Sequence, residues 1–287
     1  MRVKRLLTRA VMKIKHEALR LQVKNAKWQF GVTKQKREPE IIVSLTSYPK
    51  RFPELDLCIK SLVNQEMKAD RIILWLGNDA SAEDADRLQS KYAQYGVEIE
   101  RDPEKNLYSH KKYYYAMSRF PKDIIVLADD DLIYPADWLS SLYRSYVKHP
   151  ECISARRVHK ILWDEHGTPL PYTKWKGEVK SAVPAHDLLA TTGAGSLFPP
   201  ACLEREVFNT DVFLQKAKTA DDLWIKVMAI RNGVKVAWAE NTMMMPTTIN
   251  LHQDEELTAI NVESGENDRL FRELCAYYSL EKRDFTK

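Results

Sequence analysis

The apolar positions of this chain fall into short solid blocks separated by amphipathic stretches, and the spacing inside each block predicts its element. Ile41-Ile42-Val43-Ser44-Leu45, Arg71-Ile72-Ile73-Leu74-Trp75-Leu76-Gly77, Val97 to Arg101 and Ile124-Ile125-Val126-Leu127-Ala128 are brief runs rich in Ile, Val and Leu. Runs of this length read as strands, the more apolar of them buried on both faces of a parallel sheet. Between them the rhythm becomes helical. Leu55, Cys58, Ile59, Leu62 and Val63 share one face, and Ala85, Leu88, Tyr92 and Tyr95 share another. Ser81 with Asp84 three residues on predicts a capped start for the second helix, and Gly96 its end. Further helices are expected from His110 to Arg119 and from near Pro135-Ala136-Asp137-Trp138. Strand and helix alternate from residue 40 to 131, which predicts βαβ crossovers and a Rossmann-like α/β half. From Cys152 to Lys180 the periodicity fades, and a helix returns from about Ala220 to Arg231, stopped by Asn232-Gly233.

Charge changes the picture at the N-terminus. Residues 1–37 carry twelve Lys or Arg against Glu17 alone, a net +11 in a chain of total charge +4, so the remaining 250 residues sum to −7. Val3, Leu6, Leu7, Ala10, Val11, Ile14, Ala18 and Leu21 form one helical stripe with most basic residues around the other face. Such a basic amphipathic helix suits an anionic membrane surface, and the alternatives are docking on its own domain or on a second subunit. Nothing accompanies the charge that would read nucleic acid. No apolar run is long enough for a membrane span or a secretory signal. The organisation expected is a helix over 1–30, a linker over 31–39 and one domain over 40–287. Cys58, Cys152, Cys202 and Cys275 lack any CxxC or His-partnered spacing and read as reduced thiols of a cytoplasmic protein.

The chemistry concentrates where the fourth strand runs into Asp129-Asp130-Asp131. Open α/β sheets bind ligands beyond the C-terminal ends of their strands. If the extended backbone continues, Asp129 and Asp131 project to one side, about 6 to 7 Å apart, a pair that calls for a hard cation such as Mg²⁺ or Mn²⁺. A solvated turn is the plainer reading of the same residues. The first strand is not followed by G-x-G-x-x-G and no Walker lysine motif occurs, so a dinucleotide or P-loop site is not expected.

The order Val43-Ser44-Leu45-Thr46-Ser47-Tyr48-Pro49, Lys111-Lys112, Asp129-Asp130-Asp131, Gly193-Ala194-Gly195 and Asp221-Asp222-Leu223-Trp224 resembles a GT-A glycosyltransferase of the family-2-like type found in bacterial capsule and lipopolysaccharide synthesis. The resemblance implies a GT-A fold, with a nucleotide-binding half on a mixed, mostly parallel sheet fused to an acceptor-binding half. It implies transfer of a sugar from a nucleotide donor, with UDP the expected nucleotide, to a growing surface glycan or lipid-linked glycan. Thr46, Tyr48, Arg51, Lys111, Lys112, Asp129 and Asp130 are then expected on the donor, and Asp131 with His252 on a divalent metal. Two adjacent lysines on a helix are otherwise solvated, and a lone histidine is more often structural. Asp222, with Asp221, is expected as the base of an inverting transfer. Thr219-Ala220-Asp221-Asp222 is also a capping-box spacing, which would give Asp222 a structural role. Trp163, Tyr172, Trp175, Gly193 and Gly195 are expected toward the acceptor, with core packing the alternative for Trp163. The expected location is the cytoplasmic face of the cell membrane. Two other classes compete. Asp129-Asp130-Asp131-Leu132-Ile133 loosely fits the nucleophile motif of haloacid-dehalogenase-type phosphatases, and a non-catalytic carbohydrate-binding protein would share the aromatic residues.

Overall fold

The computed structural model describes residues 2–240, 244–249 and 265–287, with side chains from Val11 onward. After a helix α1 (Arg2–Asn25), the chain lays down β1 (Ile41–Thr46), α2 (Leu55–Val63), β2 (Arg71–Leu76), α3 (Ala82–Tyr92), β3 (Val97–Arg101), α4 (Lys111–Arg119) and β4 (Ile124–Leu127). β4, β1, β2 and β3 are neighbours in that order and parallel throughout. The boundaries follow local chemistry. The Ser81 hydroxyl accepts the Asp84 N–H at 3.0 Å while the Asp84 carboxylate accepts the Ser81 N–H, and Gly96 ends the segment at φ 82°.

The second half adds β5 (Leu132–Ile133), α5 (Trp138–Lys148), β6 (Ile153–Ala155), β7 (Val158–Lys160), β8 (Leu188–Ala190), β9 (Ser196–Phe198), α6 (Thr210–Lys216), α7 (Asp221–Arg231), β10 (Val236–Trp238) and β11 (Thr247–Thr248). The main sheet runs β10-β6-β9-β4-β1-β2-β3, and β9 is antiparallel to both β4 and β6. This makes the sheet mixed but mostly parallel, as expected. β5 pairs with β11 and β7 with β8, each pair antiparallel.

The pleat divides the core. Ile42, Ile73, Trp75, Ile125 and Leu127 point to the face covered by α4, α7 and helix Glu266–Tyr277. Ile41, Val43, Ile72, Leu74 and Val126 point to the face covered by α2, α3 and α5. Alternate residues of one apolar run thus feed two cores, which is why these strands carry no polar face.

The N-terminal segment departs from the simple amphipathic picture. α1 docks on its own domain through Leu19 and Val23, each 7% exposed, with Arg20 donating to the Ile249 carbonyl at 3.0 Å and Lys60 to the Lys24 carbonyl at 2.8 Å. The apolar stripe itself does not make this contact: Val11, Ile14 and Leu21 are 48%, 69% and 54% exposed. Successive residues turn by 100°, so Leu19 and Val23 lie nearly opposite that stripe. The segment 31–39 is pinned to the sheet edge. Thr33 donates to the Ala69 carbonyl at 2.8 Å and Arg37 pairs with Asp70 at 2.7 Å. Among the described residues no helix is long and apolar enough to cross a membrane.

The loop into β9 has the tightest steric constraint. Gly195 stands at φ 107°, and a Cβ there would lie 2.0 Å from Nε1 of Trp138, whose indole N–H donates to the Ala194 carbonyl at 3.1 Å. Gly195→Ala should therefore destabilise the protein by about 3 kcal/mol, combining a left-handed penalty with overpacking. Urea denaturation with a midpoint unchanged from wild type would show that the loop shifts freely.

Candidate functional site

β4 lies between β1 and β9, and its four residues are fully buried. The strand ends at Leu127, and Asp129, Asp130 and Asp131 follow in a turn. The alternation assumed for Asp129 and Asp131 therefore stops before it reaches them, and each aspartate finds its own partner. The Asp129 carboxylate accepts from Lys112 at 2.6 Å, Asp130 accepts from the Ser47 hydroxyl, and Arg51 donates to Asp131 at 2.8 Å while lying 3.8 Å from Asp130. Tyr134 braces the turn from behind, accepting the Asp129 N–H at 2.7 Å and reaching the Gly193 carbonyl at 3.0 Å.

Lys112 is the centre of this arrangement. It is 2% exposed, and its ammonium also pairs with Asp221 at 3.0 Å. The solvated alternative for Lys111 and Lys112 does not hold: α4 packs its first turn against the sheet, and both are buried. The Ser44 hydroxyl on β1 donates to the Lys112 carbonyl and accepts the Trp75 indole N–H at 2.8 Å. His110, also buried, bonds Tyr113 and the Ala217 carbonyl, each at 2.9 Å, and so ties the start of α4 to the chain leading into α7. Lys111 points the other way, to Asn106 at 3.0 Å and Asp79 at 3.7 Å.

α7 brings the second acidic pair. Its N-cap is Ala220, without a side-chain cap, so the capping-box reading of Thr219 and Asp222 does not hold. The Asp222 carboxylate accepts from the Thr192 N–H at 2.9 Å and the Thr192 hydroxyl at 2.6 Å. Beside the pair is a cleft of about 90 Å³ lined by Tyr172, Leu189, Thr219 and Asn267 together with Asp221 and Asp222.

Four of the five carboxylates thus pair with two cations, Lys112 and Arg51, and Asp222 is held by Thr192 instead. Burial and the neighbouring Asp131 push Asp130 up to about 7, and burial with Asp129 pushes Asp131 upward. Burial and Asp221 push Asp222 up to about 6. Burial would raise Asp221 as well, but Lys112 and His110 hold it below the usual carboxylate range. Lys112 itself is held protonated: burial opposes its charge, and Asp129, Asp221 and Asp222 overcome that.

The other expected residues separate into those that reach the carboxylates and those that do not. Gly193 closes on Asp129, whose Oδ2 lies 2.2 Å from where a Cβ would stand. Thr46 donates to the Trp75 carbonyl at 2.8 Å, and Tyr48 is 39% exposed with the Arg51 guanidinium 5.9 Å from its ring. Tyr172 borders the Asp222 cleft. Trp163 and Trp175 were expected toward the acceptor, but their rings pack on Phe271 at 6.3 and 5.2 Å, and Trp163 also meets Phe285 at 5.1 Å. They belong to the aromatic core beneath helix Glu266–Tyr277, which burial of large rings favours. Gly195 packs on Trp138. His252 lies outside the described residues. Among those described, no group of three His, Cys, Asp or Glu side chains is arranged to hold a metal ion. Ser47 and Thr192 join the site unexpectedly; Ser47 stands inside a quoted motif and Thr192 just before one, but a hydroxyl gains its partner only from tertiary contact.

The profile of glycosyl transferase family 2 matches residues 43–198, which contain β1 to β9 and the three aspartates. Among solved structures, TarS residues 1–349 of S. aureus is similar with 12% identity over 77% of this chain and 64% of that one, at a TM-score of 0.47. The same fragment in complex with UDP gives 13% identity over 82% and 70%, also at 0.47. The mannosyltransferase PcManGT of Pyrobaculum calidifontis, in complex with GDP-Man and Mn²⁺, gives 10% identity over 82% and 66%, at 0.46. The chain thus spans about two thirds of the length of these proteins. No curated protein sequence matches it.

Removing Lys112 tests the electrostatic account. Lys112→Met leaves the buried Asp221 without its cation, and the partly exposed Asp129 without its partner, which should cost about 3 kcal/mol at pH 7. The sign with pH follows from Asp221, whose lowered value stabilises the wild type above the ordinary carboxylate range and is lost as pH falls through it. The gap between variant and wild type should therefore hold from pH 7 to about pH 5 and narrow as the pH falls further in urea melts. A gap independent of pH would mean that Lys112 acts through packing alone.

Proposed function

The chain belongs to glycosyl transferase family 2 and has the GT-A type of α/β fold, and from that premise we propose a metal-assisted, inverting transfer of a sugar from a UDP-linked donor to a surface or lipid-linked glycan. The observation that carries the reading is Lys112, whose single buried ammonium joins Asp129 on the sheet edge to Asp221 on α7. It makes one site of the two acidic motifs, so a donor held by the first faces a base held by the second.

In this reading Asp129 and Asp130 take the ribose side of the donor, with Thr46, Tyr48 and Arg51 at the end of β1 beside them. A divalent cation fits at Asp131. The turn sets three adjacent carboxylates against one guanidinium and one shared ammonium, and Mg²⁺ or Mn²⁺ commonly needs only one or two carboxylates beside substrate phosphates and water. Bound there, the cation would neutralise charge on the departing nucleoside diphosphate. Asp131→Asn should then abolish Mn²⁺-dependent thermal stabilisation by UDP-sugars, since a ligand of the native state raises its stability by mass action. Stabilisation retained by this variant would remove the metal role. A screen of sugar-nucleotides in the same assay identifies the donor.

Asp222 is the proposed base. Burial and Asp221 raise it to about 6, so it is ionised at neutral pH yet basic enough to take the acceptor's proton, and Thr192 fixes its direction. Tyr172 at the mouth of the adjoining cleft offers the acceptor sugar an aromatic face.

Asp222→Asn should lower turnover by about 10² to 10⁴ with donor binding nearly unchanged. In the wild type kcat/KM should rise with pH through about 6 and level off above it, because a base must be deprotonated to act. A product that keeps the donor's anomeric configuration would exclude the single displacement and the base role together.

A further inference from the structure

The Asp222 carboxylate is only half used inside the chain. Both Thr192 donors, the N–H at 2.9 Å and the hydroxyl at 2.6 Å, fall on Oδ1, and Oδ2 accepts no hydrogen bond from any described residue. The cleft beside it, about 90 Å³, carries further groups of this kind. Asn267, half-buried in the first turn of helix Glu266–Tyr277, and Thr219, exposed at the rim, make no side-chain hydrogen bond among the described residues. The Tyr172 hydroxyl is unpartnered among them too; burial and the nearby Asp222 push it up to about 12, so it keeps its proton and remains a donor. The walls are tied together, because Asp268, next to Asn267, accepts the Tyr172 backbone N–H. Leu189 adds an apolar side, and no Lys, Arg or His lines the cleft, whose charges are those of Asp221 and Asp222.

Each feature narrows what can enter. A phosphate or carboxylate would meet two acids and no lining cation. A wholly apolar group would strip water from Asn267, Thr219 and Tyr172 without replacing its hydrogen bonds. An uncharged ring with several hydroxyls and an apolar face satisfies both conditions. We propose that Asn267 selects the acceptor by reading a hydroxyl next to the one that reacts, on an uncharged terminal sugar. Its carboxamide both donates and accepts, so it can meet that hydroxyl's proton and its lone pair. The reacting hydroxyl, held at Oδ2 of Asp222, gives that oxygen its proton as its own oxygen bonds the anomeric carbon of the donor. The nucleoside diphosphate departs with the electron pair of the broken bond. The assignment rests on the glycosyl-transfer reading, to which it adds the kind of sugar received and the residue that chooses it.

The test uses the full chain, the UDP-sugar that stabilises it with Mn²⁺, and methyl glucoside, galactoside and mannoside as acceptors, each beside its uronide and its monodeoxy analogues. For the hexoside used best, removing one hydroxyl next to the point of transfer should lower kcat/KM by about tenfold to a hundredfold. In Asn267→Ala the complete hexoside should fall to the level of that analogue, and removing the hydroxyl should then cost nothing more. A general structural defect would not produce this coupling. Thermal stabilisation by UDP with Mn²⁺ should be unchanged in the variant. A uronide used as well as its parent hexoside overturns the neutral-sugar class, and a deoxy penalty that persists in Asn267→Ala overturns the role of Asn267. Transfer to none of the hexosides, by a protein that UDP and Mn²⁺ do stabilise, overturns the whole assignment. Absence of that stabilisation in the wild type overturns the donor reading itself, so the two failures are told apart.

Discussion

One buried ammonium organises this molecule. Lys112 has lost nearly all its water, and an isolated charge in that position would be strongly unfavourable. It is tolerated because Asp129 and Asp221 reach it from two different elements, the turn after β4 and the first turn of α7. Asp221, buried beside it, would in turn be a buried charge without a partner cation. Buried ion pairs of this kind contribute little net stability compared with well-packed apolar residues. What Lys112 supplies is geometry: it fixes the distance between the acidic end of the sheet and the acidic start of a helix that follows more than ninety residues later in the chain.

The same interaction sorts the carboxylates by character. Asp221 lies on the lysine and is held low, whereas Asp222 has only Thr192 for direct support and is pushed up by burial and by Asp221. Two adjacent residues of one helix thereby become a counter-ion and a basic group. Pairs of acids whose environments drive them apart are a recurrent way of assigning acid and base roles on one scaffold. On the sheet side Arg51 is shared by Asp130 and Asp131, and the surplus negative charge stays at the end of β4.

Much of the fold was legible in the sequence because burial on both faces leaves an unambiguous trace. Ile41–Thr46, Arg71–Leu76 and Ile124–Leu127 are strands where the Ile and Val runs placed them, and Ser81 with Asp84 caps α3 as its spacing implied. The short strands of the second half, such as Leu188–Ala190 and Ser196–Phe198, were not legible. Three residues give no period, and their pairing is decided by partners distant in sequence. The site divides in the same way. The acidic motifs stood out as local runs of charge. The burial of Lys112, the Thr192 contacts and the inward turn of Trp163 and Trp175 depend on which elements meet, and a residue's type does not carry that information.

The N-terminal helix shows how a correct pattern can mislead about what it faces. Its apolar stripe is real, but the domain takes the opposite side, because Leu19 and Val23 meet α2 while Arg20 and Lys60 close hydrogen bonds across the joint. A surface helix usually buries its most apolar face, since that burial is its main source of stability. A helix that docks by its weaker face and leaves Val11, Ile14 and Leu21 in solvent retains unused apolar area. That area adjoins the cavity lined by Lys15, Arg156 and Arg157, and Arg157 reaches the loop that positions Asp222.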